Sequence, residues 1–178
     1  MRLTRLTGGS LIALLIAAGW LGSLSSGIGQ TKAPADPALE RTRDQVRMLD
    51  DLYKTVVVFI TDKYVHKDTD VSAGTAAVTL FSAMKAKGWH DIRLVDATDQ
   101  PFEENNSPKD AFEKSAVKAL KGGKTYVEEV VQIDGKPFLR AATPVPVVMK
   151  KCVLCHPHYA DVKEGEPIGI LSYIVPIK

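Results

Sequence analysis

A chain of 178 residues with 23 Lys and Arg against 21 Asp and Glu can bury one ordinary core, and its charges are too evenly balanced to follow a phosphate backbone. Setting aside Arg2 and Arg5, which stand at the very start, leaves 21 basic against 21 acidic residues, so nucleic acid is excluded as a partner. The chain holds two cysteines, which in an exported protein would ordinarily suggest one disulfide, but here their spacing points elsewhere.

From Leu6 to Gln30 there is no charge, and the centre of the run reads LIALLIAAGWLGSL. A short basic start, an apolar core of about 14 residues and the small-residue tail SSGIGQ fit a secretory signal peptide over residues 1–29. Gly27 and Gly29 set the cleavage near Gln30; left uncut, the same run is an N-terminal membrane anchor. Residues 30–39, with the Pro/Ala-rich TKAPADPAL, read as a tether. The domain proper is expected over 40–178, in the periplasm or another extracytoplasmic space.

Val46, Leu49, Tyr53, Val56 or Val57, Ile60 and Tyr64 recur at steps of three and four, which predicts a long amphipathic helix from Glu40 to about Tyr64. HKDTDVSAG breaks it. Ser72 then caps a second helix to about Lys87, with Ala76, Ala77, Leu80, Phe81 and Met84 inward and Gly88 closing it. HDIRLVDA alternates as a strand, and TDQPFEENNSP is turn chemistry. Ser107-Pro108 opens a third helix with Phe112, Ala116 and Leu120 inward, stopped at Gly122-Gly123. Asp134-Gly135 joins two β-rich runs as a hairpin, and PIGILSYIVPI is the last strand. The fold class is therefore α+β: an antiparallel sheet with its helices on one side and long N-terminal helices packed across it. A small sheet with one inserted helical segment and a closing meander has a PAS-like outline.

The chemistry concentrates in KKCVLCHPHY, residues 150–159. Two thiols three positions apart reach the vinyl groups on one edge of a haem, and the following His156 lies under the ring with a nitrogen toward iron. Cys152-x-x-Cys155-His156 is thus a haem c attachment signature, and it uses both cysteines. Three alternatives stay open. A zinc site usually draws on two separated ligand pairs, whereas Cys152, Cys155, His156 and His158 crowd into one short run. A redox C-x-x-C could follow VPVVMKK, without the Trp- or Gly/Pro-rich context of thioredoxin-like sites. A structural disulfide is the third.

From about Gly88 to Pro176 the chain resembles the PAS-like, single-haem c-type cytochrome domains, which also serve as extracytoplasmic sensor modules of bacterial histidine kinases and chemoreceptors. The resemblance is carried by GWHDIRLVDATDQPFEENNSPKDAFEKSAV, DGKPFLRAATPVPV, CVLCH and GEPIGILSYIVPI. It implies a PAS fold with haem c between sheet and helices, held by Cys152 and Cys155 with His156 as proximal ligand. Some relatives complete the iron with a cysteine thiolate from the N-terminal helices. This chain has no third cysteine, so the sixth position falls to His66, Met84, His90, His158, another side chain, water or nothing.

Arg140 is the first choice to hold a haem propionate, since its fork grips a carboxylate bidentately; its bland reading is a solvated strand arginine. Arg93, Asn105 and Asn106 are further polar candidates. Tyr173 packs on the ring or donates to it, or is simply core. Met149 and Leu154 supply apolar lining. The expected function is one-electron transfer by an exported monohaem cytochrome, with a protein redox partner and no enzyme activity. The alternative is a haem-based redox or small-ligand sensor, which must signal through another protein because no membrane helix or kinase follows Lys178. A catalytic haem is third, with no second motif in support. The long helix also offers a face on which two copies could pair.

Overall fold

A computed structural model describes residues 36–67, 70–163 and 165–178, the Cys155 side chain excepted. The expected leader, residues 1–29, lies outside the described residues, as does most of the 30–39 tether. Among the described residues no helix is long and apolar enough to cross a membrane.

Helix α1 (Pro37–Tyr64) starts three residues ahead of the expected Glu40. Asp36 supplies the reason: its carboxylate accepts from Ala38 N–H at 2.9 Å and Leu39 N–H at 3.5 Å, and Pro37 occupies the first helical position where no donor is needed. Thr42, Val46, Leu49 and Tyr53 are buried along one stripe. Tyr64, expected on the same face, is 65% exposed. The cause is length. Arg41 donates to the Lys178 carbonyl at 2.9 Å, Asp50 accepts from the Tyr173 hydroxyl at 2.8 Å, and the Asp62 carbonyl accepts from Lys151 Nζ at 2.5 Å. The helix therefore crosses the sheet and outruns it.

Helix α2 (Ala73–Ala86) is capped by Ser72, whose Oγ accepts from Thr75 N–H at 3.1 Å, and Gly88 closes it at φ +72°. Its buried residues are Ala73, Ala77 and Phe81, while Leu80 faces outward, so the inward stripe is narrower than its sequence suggested. Helix α3 (Ala111–Lys121) begins later than Ser107-Pro108, at the Asp110 cap, which accepts from Glu113 N–H at 2.9 Å.

Strands β1 (Asp91–Asp96), β2 (Val127–Ile133), β3 (Lys136–Pro146) and β4 (Pro167–Pro176) form one open antiparallel sheet in the order β1-β4-β3-β2. The expected hairpin joins β2 to β3. Asp134 at φ +50° and Gly135 at φ +74° give the two left-handed residues of a tight two-residue turn. β4 is central and buried along nearly its whole length.

The expectation of helices on one side is corrected. Leu139 and Ala141 of β3 and Leu171, Tyr173 and Val175 of β4 pack with Val46, Leu49 and Tyr53 of α1 and Ala77 and Phe81 of α2. Ala142 and Ile170, which alternate with them, pack with Val95 and with Phe112, Ala116 and Leu120 of α3. Successive strand residues point to opposite faces, so α1 and α2 cover one side and α3 the other.

Candidate functional site

Between β3 and β4 the chain leaves the sheet and makes one helical turn, α4 (Cys152–Cys155). Backbone bonds from Cys152 N to Met149 O at 3.1 Å and from Val153 N to Lys150 O at 3.2 Å tighten its entry. Cys152 and Cys155 open and close this turn, three positions apart. Cys152 is half-buried with a free thiol. At His156 (φ −129°) the helix ends, and Pro157 starts a 3-10 turn through Asp161.

The His156 ring lies against aromatic neighbours. Tyr159 stacks on it at 4.5 Å and 18°, and Phe102, from the turn after β1, meets it edge-on at 5.5 Å. The His158 ring stands 5.9 Å away. His156 Nδ1 and His158 Nε2 are buried with no hydrogen-bond partner. Burial first, and then the neighbouring His158, push the His156 pKa below its ordinary value, with Asp96 pulling weakly upward. The imidazole is therefore neutral at pH 7, as an iron ligand must be. Burial, helped by Asp96 and Cys152, pushes the Tyr159 hydroxyl up to about 12. These neighbours place the motif at the Asp96 end of β1, which pairs with Gly169 of β4.

The residues present fit a covalently held haem. The motif's two cysteines stand three positions apart on one helical turn, a neutral imidazole follows directly, and its ring nitrogen Nδ1 is withdrawn from water and unpaired. Around them Phe102 (76% exposed), Val148 (56%) and Leu154 (42%) are uncovered, a cluster of apolar surface that an apolar macrocycle would shield. Beside the turn lies a cleft of about 210 Å³ lined by Ala97, Thr98, Lys121, His158, Asp161 and Glu166. Lys121 Nζ donates there to the Ala97 carbonyl at 2.8 Å. Among the described residues no three His, Cys, Asp or Glu gather to hold a metal ion.

Other residues singled out from the sequence are not brought to this site. Arg140 faces α3, where it pairs with Asp110 at 2.8 Å and lies 4.4 Å over the Phe112 ring. It stands six positions before Pro146, roughly 20 Å up the strand from the end that leads to Cys152. The propionate role expected of Arg140 therefore finds no support in its position; it holds α3 to the sheet. Arg93 pairs with Glu113 and donates to the carbonyls of Asn105 at 2.7 Å and Ser107 at 3.2 Å, so it and Asn105 fix the approach to α3. Tyr173 is core, fully buried, and its hydroxyl donates to Asp50 Oδ1, the oxygen to which Thr143 Oγ1 also donates. His90 is also core, sharing a 2.8 Å hydrogen bond with the Tyr53 hydroxyl. Met84 is half-buried near the end of α2, and its carbonyl accepts from Trp89 N–H at 3.3 Å. His66 is exposed, just past the end of α1. Met149 is half-buried beside α4.

Sequence reasoning passed over Tyr159 and Phe102. The signal for Tyr159 was an aromatic three places after the motif histidine. For Phe102 it was a large apolar residue inside an otherwise polar turn.

A family model described as Tll0287-like matches residues 35–176, nearly all of the described chain. The chain belongs to this family of cytochrome-like domains. No curated protein matches it.

Proposed function

We propose that this member of the Tll0287-like family is an exported monohaem c-type cytochrome of PAS-like architecture, working in one-electron transfer with a protein partner. The observation that carries the reading is the Cys152–Cys155 turn, followed at once by a half-buried His156 whose Nδ1 is unpaired, amid uncovered apolar side chains. Cys152 and Cys155 hold the cofactor by thioethers, and His156 is its proximal ligand. Bound there, haem c supplies a single electron's exchange between ferric and ferrous iron. Tyr159 and Phe102 fix the plane of the His156 ring by stacking and edge contact. A helical segment between β1 and β2 and a β2-β3-β4 meander, with β4 beside β1, support the PAS-like reading. The uncharged run of residues 6–30 supports export, which is also where thioether attachment takes place.

The test is a denaturing gel of the full chain made in a host with c-type maturation machinery. Haem-dependent peroxidase staining should travel with the polypeptide and vanish in Cys152→Ala/Cys155→Ala. An unstained wild-type band sinks the reading.

A further inference from the structure

The residues able to approach the cofactor from the side away from His156 are very unequally placed. His90 and Met84 lie toward the Asp91 end of β1. Lys85, next to Met84, pairs with Asp91, and His90 is bound to Tyr53 in the core. The motif lies at the Asp96 end, and the six residues of β1 separate the two ends by roughly 17 Å. His158 follows His156 by two residues and its ring stands 5.9 Å away, so it shares the His156 side.

The overrunning end of α1 reaches the motif directly. Lys151, adjacent to Cys152, donates through Nζ to the Asp62 carbonyl at 2.5 Å. Four residues past Asp62 stands His66. Its backbone N–H is donated to Asp70 Oδ2 at 2.8 Å, and that of Lys67 to the same oxygen at 3.1 Å. The backbone at His66 and Lys67 is thus tied to Asp70 while the imidazole is exposed. The start of α2 comes to the same end of the sheet, where an added Cβ on Gly74 would lie 3.8 Å from Leu94.

We propose that His66 supplies the sixth ligand, reaching the iron from the corner between α1 and α2 on the side opposite His156. This rests on the haem-attachment reading above. With two imidazoles on the iron, the cofactor is closed to small ligands and suited to passing electrons rather than binding a gas.

The experiment records optical spectra of the haem-loaded full chain, ferric and ferrous, with and without carbon monoxide. It compares wild type, His66→Ala and Met84→Leu, with a haem-stained denaturing gel of each. Wild type and Met84→Leu should be low-spin in both states and unmoved by carbon monoxide. His66→Ala should lose the low-spin bands and bind carbon monoxide at once, and added imidazole should restore the low-spin spectrum. A stained wild type that is already high-spin, a stained His66→Ala that stays low-spin, or an opening caused by Met84→Leu would each overturn the assignment while leaving attachment intact. A wild-type band without stain overturns the attachment reading and this proposal with it.

Discussion

Arg140 separates what a residue type suggests from what its position permits. A guanidinium on a strand leading toward a cofactor motif invites a propionate, yet its fork is turned to α3 and its plane lies on Phe112. Arg140→Ala should therefore leave thioether attachment and the haem spectrum unchanged. It should lower stability by roughly 1–2 kcal/mol, through the lost ring contact and ion pair, read from a denaturant midpoint. A changed spectrum with unchanged stability would restore the propionate role. The motif stands out in the sequence because its two cysteines and its histidine lie within five consecutive residues. The shell around it is not legible there: Phe102 arrives from a turn more than fifty residues upstream, and nothing in local pattern links it to His156.

At the scale of elements, the sequence pattern located all three main helices and the hairpin; the start of α2 stands at Ser72 as expected, while those of α1 and α3 moved to the side-chain caps Asp36 and Asp110. What periodicity could not give is the side of the sheet a helix covers. The Phe112, Ala116 and Leu120 stripe reads the same against either face; the choice is made by Val95, Ala142 and Ile170, from three different strands. Glu113 was invisible for a related reason. It is 2% exposed although charged, because it pairs with Arg93 of β1 and accepts from Lys109 N–H at 2.8 Å. This pair clamps the start of α3 to the sheet. Glu113→Gln leaves Arg93 without its counter-charge and should cost about 2–3 kcal/mol in chemical denaturation. A neutral result would mean that the clamp is held by the carbonyls of Asn105 and Ser107 alone.

For the whole molecule, His90 links stability to pH. Burial lowers its pKa below the ordinary value, with Asp91 opposing weakly, so the native state resists the proton that the unfolded chain accepts below about pH 6.5. Stability should therefore fall as pH drops from about 6.5 toward the lower native pKa, and level off once the folded His90 also protonates. The slope from this one group is at most about 1.4 kcal/mol per pH unit. Denaturant midpoints between pH 7.5 and 5 check it: His90→Gln should be less pH-sensitive than wild type, and equal slopes would remove His90 from the account.

The central place of β4 bears on when the molecule becomes a molecule at all. Among the described residues β1 has no strand neighbour except β4, and the strand that bonds both β1 and β3 follows every other element. Sheet closure must therefore wait for the latest segment, a long-range step that is slow because so much chain has to be gathered first. Until that moment residues 150–159 belong to an open polypeptide rather than to a finished wall. Cys152, half-buried once the fold is complete, is more open to covalent chemistry before β4 docks than after it.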